Sequence, residues 1–217
     1  MAKRFTSLQL CAYAMVGVVV ASGCSDSSDD SSSVSRGLLH CQEFLGEENV
    51  RSAIGAMGEG DLVVRAASTV KELSRKLALE AKAWSEEDLL HDSYRACRVD
   101  LSGAEGEGYR VMEATVKWSV WLMDDVKKPK PAETWRKVND QVFVETQMEA
   151  SGTRLLISCE VPGAPARQSQ EMPLEVAVYD PGFAPALRGK LLTTYAQGLT
   201  EGLGCANAPQ IPNTLPK

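Results

Sequence analysis

The chain has 217 residues, with 23 Lys and Arg against 29 Asp and Glu, and a net charge of −6 at pH 7. Proteins that bind nucleic acid draw most of their affinity from Lys and Arg against phosphates, so this acidic balance argues against a nucleic-acid partner. The chain contains no Gly-rich phosphate loop, no calcium loop, no Cys-x-x-Cys and no pair of nearby histidines. The sequence therefore predicts neither a cofactor nor a metal site.

The first 23 residues have the features of an export signal. Lys3 and Arg4 precede an apolar stretch from Leu10 to Ala21, and small residues lead into Cys24. A basic start, an apolar centre and small residues before a cleavage site are typical of signal peptides. The apolar stretch covers about 12 residues, whereas a membrane-spanning helix needs about 20. We therefore expect a cleaved signal over 1–23, and the alternative at this point is an ordinary secretory signal that is cut nearby.

The residues around this site resemble the lipobox of bacterial lipoproteins, in which small residues precede a lipid-bearing Cys. The match covers Ala21-Ser22-Gly23-Cys24, with Ala21 where Leu is commoner. The resemblance implies that Cys24 carries lipid and that the protein is anchored to the cell membrane on its extracytoplasmic face. Each buried lipid methylene contributes about 0.8 kcal/mol, and two acyl chains anchor a protein far more durably than one. The membrane, reached through lipid on Cys24, is thus the first expected partner.

A tether and one domain are predicted after Cys24. The nine residues 25–33 are all Ser or Asp, and such a stretch cannot bury enough apolar surface to offset the entropy of ordering it. We expect a flexible tether over 24–37 and a single extracytoplasmic domain over 38–217. Cleavage after Gly23 would change the net charge from −6 to −8, because Lys3 and Arg4 are the only charged residues removed.

The hydrophobic pattern changes period along the domain. Apolar residues recur at helical spacing first, then at alternate positions, then at helical spacing again. This predicts helices over 42–54 and 66–84 and a short turn capped by Ser85. It then predicts a hairpin of strands over 94–101 and 112–122, further strands over 142–148, 155–161 and 174–178, and a last helix over 187–203 that ends at Gly204. The predicted class is α+β, with a mainly antiparallel sheet of about five strands and helices packed on one face.

Four cysteines lie in the domain: Cys41, Cys97, Cys159 and Cys205. An even number in an oxidising compartment predicts two disulfides. Consecutive cysteines are 56, 62 and 46 positions apart, unlike the close ligand pairs of zinc sites. Of the three connectivities, we favour Cys41 with Cys97 and Cys159 with Cys205, because each pair would join a predicted helix to a predicted strand.

A second resemblance concerns the start of the domain. Residues 41–55, with the sequence CQEFLGEENVRSAIG, combine a Cys, a hydrophobic pair, a short predicted helix and a Gly. They resemble the beginning of the soluble domain in actinobacterial lipoproteins of unknown function. The resemblance implies a Gram-positive envelope setting and assigns no site.

Residues that could support hydrolysis are few. His40 is next to Cys41, which a disulfide would deprive of its thiolate, and His91 precedes Asp92; we expect both histidines to be solvated. No Ser lies in a Gly-x-Ser-x-Gly motif. Carboxylate clusters occur at Glu47-Glu48, Glu86-Glu87-Asp88 and Asp124-Asp125. They leave a cell-envelope hydrolase that uses carboxylates such as Glu47 or Asp124 as the alternative function.

The favoured function is a non-catalytic binding or adaptor protein with a protein partner in the envelope, the oligomeric state being open. The sequence has one basic cluster, Lys127-Lys128-Pro129-Lys130-Pro131. We expect it either to contact an anionic lipid or wall polymer or to be a solvated turn. Trp118 alternates with the core residues of its strand, whereas Trp121 falls on the opposite face. Trp121 is therefore expected to line a binding surface or to lie beneath a helix.

Overall fold

The computed structural model describes residues 28–66, 68–88, 90–103, 108–128, 135–145, 152–180 and 182–216. These residues form six helices and seven strands. In chain order they are α1 (Ser28–Leu45), α2 (Glu47–Met57), β1 (Asp61–Arg65), α3 (Val70–Ala83), β2 (Ser93–Ser102), β3 (Tyr109–Trp118), α4 (Met123–Lys127), β4 (Trp135–Lys137), β5 (Val142–Glu145), β6 (Gly152–Ile157), α5 (Gln168–Glu171), β7 (Leu174–Tyr179) and α6 (Pro185–Leu203).

The strands form one antiparallel sheet in the order β1-β2-β3-β7-β6-β5-β4. The α+β class is confirmed and β2 and β3 form the expected hairpin, but the sheet has seven strands rather than about five. The two unpredicted strands, β1 and β4, are the edge strands and contain five and three residues. Segments this short show too little alternation to be recognised as strands.

Each sheet face has its own set of side chains. The inner face, which carries Cys97 and Val99, packs against α1, α3 and α6, and α2 joins the same core through α1 and α6. Trp118 is fully buried there, and its indole N–H donates to the main-chain oxygen of Leu77, 3.0 Å away. The outer face carries Arg98 and Asp100 and is largely polar. Period-two alternation in β2 and β3 separates the two faces.

One helix lies on the outer face, contrary to the prediction that the helices cover one face. Met123 of α4 packs with Trp135, Phe143 and Leu156 in a second, smaller cluster. Leu156 lies between Leu155 and Ile157, which belong to the main core, so the last three residues of β6 are apolar on both faces. A strand that is covered on both faces does not alternate apolar and polar residues, so its sequence does not show which face a helix covers.

Several predicted boundaries are wrong for local reasons. The helix predicted over 42–54 is two helices, separated at Gly46, whose φ of 84° lies in the left-handed region. The helix predicted from Ala66 begins at Val70, because the Thr69 hydroxyl accepts from the Glu72 N–H and the Glu72 carboxylate accepts from the Thr69 N–H. The strand predicted to reach Leu122 ends at Trp118.

Two disulfides form, and their pairing is the expected one, but only the first joins a helix to a strand. Cys41 in α1 bonds to Cys97 in β2, and Cys159, just after β6, bonds to Cys205, just after α6. These are the pairs that the sequence favours. Cys41, Cys97 and Cys159 are fully buried.

The direction of α1 relates the N-terminal end of the domain to the sheet. A Cβ at Gly37 would stand 2.8 Å from the main-chain oxygen of Val64, and Val64 pairs with Val99. Four residues later Cys41 is bonded to Cys97. Helix α1 therefore runs from the end of the sheet where the β2–β3 hairpin turns, here called the hairpin end, toward the end where β3 stops and α4 follows, here called the α4 end.

The signal over 1–23, Cys24 and the first residues of the tether lie outside the described residues and stay predictions. The rest of the predicted tether over 24–37 overlaps α1, in which Val34 and Leu38 pack against the core. Packing against the domain therefore begins before residue 38. No helix in the described part of the chain is long and apolar enough to cross a membrane.

Candidate functional site

A fixed turn follows β3 at the α4 end. The Ser119 N–H donates to the Pro173 oxygen at 2.8 Å, and the Ser119 hydroxyl donates to the Glu175 carboxylate at 2.9 Å. The same hydroxyl oxygen accepts from the Trp121 N–H at 3.2 Å. The next turn is α4, in which the Val126 N–H donates to the Leu122 oxygen. Residues 119–122 are thus held by buried hydrogen bonds and not by a strand ladder.

This turn presents three large apolar side chains to solvent. Val120 is 63% exposed, Trp121 is 37% exposed and Leu122 is 38% exposed. Trp121 also packs edge-on against Trp135, with 6.4 Å between ring centroids. Trp121 therefore contacts Trp135 of the second cluster and is partly in solvent. We call residues 120–122 the apolar turn.

A cleft of about 270 Å³ borders the apolar turn on one side, and we call it the first cleft. His91 lines this cleft, and burial is the main cause that lowers its pKa. The charge of Asp88 raises this pKa, whereas the charge of Lys117 lowers it further.

Arg167 also lines the first cleft and adopts a left-handed φ of 71°, which is uncommon for a residue with a side chain. It pairs with Glu171 and approaches Glu86. Other residues around this cleft are Trp84, Ser119, Val120 and Leu122.

A second cleft, of about 440 Å³, lies beside α4 on the outer face and contains three lysines. Each lysine has an acidic neighbour: Lys127 is 3.6 Å from Asp124, Lys128 is 2.9 Å from Asp125, and Lys137 is 2.6 Å from Asp140. Because every ammonium group is matched by a carboxylate, the described part of this cleft has little net positive charge. Lys130 of the predicted basic cluster lies outside the described residues.

The floor of the second cleft is built by Trp135 and Phe143 and held by ion pairs. The Arg154 guanidinium lies 5.4 Å from the Trp135 ring centroid and donates to the carboxylates of Glu145 and Glu175. These two carboxylates hold the pKa of Arg154 well above its usual range. The ion pairs fix Arg154 over the indole, so Trp135 is a rigid support for Trp121.

The structure brings together only part of the predicted site residues. Three of them lie at the α4 end. His91 lines the first cleft, the pair Lys127-Lys128 lines the second, and Trp121 lies in the apolar turn between them. Glu47 lies on α2 and pairs with Arg51 at 2.5 Å, whereas Asp124 lies on α4. Elsewhere, His40 is 3.7 Å from Glu43 on α1, and the four disulfide cysteines have no thiolate to offer.

Sequence reasoning did not find the contributions of Arg167, Glu171 and Trp135. These residues come from segments that are far apart in the chain, and no local pattern relates them to the apolar turn. A local signal existed for Val120 and Leu122, since Asp124 and Asp125 mark the start of a helix immediately after them.

Comparison with protein-family models, with curated proteins and with solved structures finds no match to this chain. Within the described ranges, no three His, Cys, Asp or Glu side chains are placed to bind a metal ion. The α4 end is thus defined by its own residues, as a rigid apolar turn between two clefts of mixed polar and apolar lining. Such a surface is suited to recognition.

Proposed function

We propose that this protein is a lipid-anchored binding protein of the cell envelope, which recognises a protein partner through the apolar turn and the two clefts beside it. The lipobox-like residues before Cys24 support the anchor. Two disulfides support an oxidising compartment, because such bonds persist in exported proteins and are rare in the cytosol.

The observation that carries the proposal is the exposure of the apolar turn. Turns at the ends of strands are usually built from Gly, Pro, Asn, Asp and Ser. Here Val120, Trp121 and Leu122 are exposed together, and the backbone that presents them is hydrogen-bonded to buried Ser119. Aromatic residues with one face packed and one face free are enriched at protein interfaces, and rigid anchors lose little entropy on binding.

The direction of α1 supports a partner on the side away from the anchor. Cys24 precedes the first described helical residue, Ser28, by four positions, and α1 starts toward the hairpin end. Strand β3 has ten residues, so the two ends of the sheet lie about 30 Å apart. A lipid on Cys24 would therefore enter the membrane near the hairpin end and leave the apolar turn free for an envelope protein.

The alternative, a carboxylate-dependent hydrolase, has less support. Such an enzyme needs two carboxylates that face one cleft, one of them with a raised pKa. Glu47 and Asp124 are on different helices and line neither described cleft. The first cleft does contain carboxylates, but Glu171 pairs with Arg167 there, and Glu86 lies 3.8 Å from the same guanidinium. Burial raises the pKa of Glu80, but this residue accepts a hydrogen bond from Tyr94 and lines neither cleft.

Proximity labelling from the membrane-bound protein tests the proposed partner. We expect wild type to label a reproducible set of envelope proteins, and Val120→Asp to lose that set because it places a charge in the apolar turn. Leu79→Asp on α3 is the matched control, since Leu79 is 57% exposed and lies on the helix side of the domain. Identical labelling by wild type and Val120→Asp, or no reproducible neighbour for wild type, would contradict the proposal.

A separate experiment tests the anchor. Cys24→Ala removes the thiol that would carry lipid, so we expect the protein to leave the membrane fraction. Ser22→Ala, which keeps a small residue before Cys24, is the control and should stay in that fraction. Membrane association of the Cys24→Ala variant would defeat the lipoprotein interpretation.

A further inference from the structure

The last described residues, 206–216, form a segment without helix or strand, which we call the strap. The strap is fastened at its start, where Cys205 forms its disulfide and the Asn207 amide donates to the Ser158 oxygen at 2.8 Å. It then returns along α6, because residues 213–216 lie beside the first turns of that helix. The strap therefore occupies a groove whose two sides are α6 and the turn between β4 and β5.

Side chains of the groove recognise the main chain of the strap. The Asn139 amide donates to the Gln210 oxygen at 2.6 Å, and the Gln197 amide donates to the Ile211 oxygen at 3.1 Å. Arg136 donates to one more carbonyl oxygen near the end of the strap. These bonds depend on an extended backbone and not on particular strap side chains, so other sequences of the same shape can make them.

The sequence of the strap accounts for its extended form. Pro209-Gln210-Ile211-Pro212 has the Pro-x-x-Pro spacing that is typical of segments in the polyproline II conformation. Such a segment makes no internal hydrogen bonds, so its carbonyl oxygens can accept from a groove, and it loses little entropy on binding. Ile211 and Leu215 pack against the main core, whereas Gln210 and Thr214 are exposed.

The strap fits its groove imperfectly in two places. At its start Ala208 has a φ of 42°, in the left-handed region that disfavours a residue with a side chain. Near its end a cavity of about 250 Å³ separates Leu215 from Pro185 and Gly189 of α6. Protein interiors contain few voids larger than a water molecule. The strain and the cavity both make the bound strap less stable than a segment that avoids them.

We propose that this groove is a binding site for an extended Pro-x-x-Pro segment of another protein, and that the strap is its intramolecular competitor. The incoming segment needs a branched apolar residue at the place of Ile211 and a side chain larger than Leu at the place of Leu215, where it fills the cavity. A second copy of the chain would supply the same Leu and leave the same cavity. The groove is separate from the apolar turn, so this inference does not depend on the proposed envelope partner.

A synthetic peptide tests the site on the full chain carrying Cys24→Ala. The peptide has the sequence of residues 209–216 with the replacement Leu215→Phe, and binding is measured by titration calorimetry. The wild-type strap competes at an effective concentration in the millimolar range, so the peptide should bind weakly. The double variant Ile211→Asp/Leu215→Asp, here called the open-strap variant, places charges against the core. It should bind the peptide at least about tenfold more tightly than wild type.

The double variant Gln210→Asp/Thr214→Asp is the matched control. It adds the same two charges to the strap at exposed positions, so its affinity for the peptide should equal that of wild type. In the open-strap variant, the further change Asn139→Ala removes a donor to the peptide backbone and should weaken binding about tenfold.

Two measurements do not require the open-strap variant to fold. Ala208→Gly removes the strain at the start of the strap, so this variant should hold its strap more firmly and bind the peptide about threefold more weakly than wild type. A peptide that keeps Leu at the position of Leu215 should also bind wild type about threefold more weakly, because it leaves the cavity unfilled.

Three results would overturn the proposal. The first is equal binding of the peptide by wild type and by a folded open-strap variant. The second is tighter binding by Ala208→Gly than by wild type. The third is a dimer that forms with rising protein concentration and is lost in the open-strap variant, because the groove would then serve a second copy of the chain.

Discussion

Arg188 and Asp180 form a buried ion pair, with Arg188 Nε 2.6 Å from Asp180 Oδ2. The other carboxylate oxygen accepts from the N–H groups of Gly182 and Phe183, so Asp180 also shapes the turn that leads from β7 into α6. Removal of one partner from a buried pair leaves the other charge uncompensated.

We expect Asp180→Ala to lower the free energy of unfolding by about 3–5 kcal/mol, as measured by urea denaturation. Glu47→Ala is the control, because the Glu47–Arg51 pair is exposed and its loss should cost less than about 1 kcal/mol. Equal losses in the two variants would show that burial of the Arg188–Asp180 pair has no energetic consequence.

Substitution of Tyr195, unlike that of Asp180, is expected to stabilise the protein. It is fully buried beside Phe44, with ring centroids 5.8 Å apart, and its hydroxyl has no hydrogen-bond partner among the described residues. Burial of this hydroxyl without a partner costs about 1–3 kcal/mol, so Tyr195→Phe should raise the free energy of unfolding. Tyr94→Phe, which removes the donor to Glu80, should lower it. A less stable Tyr195→Phe protein would refute this prediction.

Glu80 predicts a pH dependence of stability. Burial is the main cause of its raised pKa, and it outweighs the hydrogen bond from Tyr94, which favours the charged form. The folded protein therefore binds this proton more tightly than the unfolded chain, so stability falls as pH rises from about 4.5 through the folded-state pKa.

Urea unfolding of Glu80→Gln between pH 4 and pH 8 checks this dependence. The free energy of unfolding of the variant should not fall as pH rises through the folded-state pKa of Glu80. Above that pKa the variant should be more stable than wild type. Glu201→Gln, on the exposed side of α6, should follow the wild-type profile. Parallel profiles for Glu80→Gln and wild type would count against the assignment.

The two disulfides close loops of similar length, with sequence separations of 56 and 46. In the chain-entropy model each contributes about 4 kcal/mol, and the difference between them is only a few tenths of a kcal/mol. We expect the double variants Cys41→Ala/Cys97→Ala and Cys159→Ala/Cys205→Ala to lose nearly equal stability, as measured by urea unfolding. A difference of more than about 2 kcal/mol would show that native packing, and not loop closure, dominates.

The parts of the fold that could be predicted are those with long periodic patterns. Helix α3, the β2–β3 hairpin and α6 each extend over ten or more residues, and their apolar positions repeat many times. Strand β1 and the break at Gly46 could not be found this way. The former offers only Leu62 and Val64 as inward residues, and the latter depends on one backbone conformation.

The candidate site was harder to predict because its key contacts are long-range. The sequence predicts that Trp121 lies on a binding surface or under a helix; in the structure it is partly exposed and packs on Trp135, and its role in binding stays a prediction. Trp135 belongs to an edge strand of three residues. Nothing in its local sequence shows that Arg154 and Trp121 approach it from two other segments.

The bond between Cys41 and Cys97 also determines how the domain bears a mechanical load. Tension applied at the N-terminal end of α1 would tend to peel this helix from the sheet, one turn at a time. The covalent link passes the force from α1 to β2, whose ladder with β3 includes nine paired residues. Peeling must therefore stop at Cys41, and Phe44 and Leu45, beyond it, stay in the core.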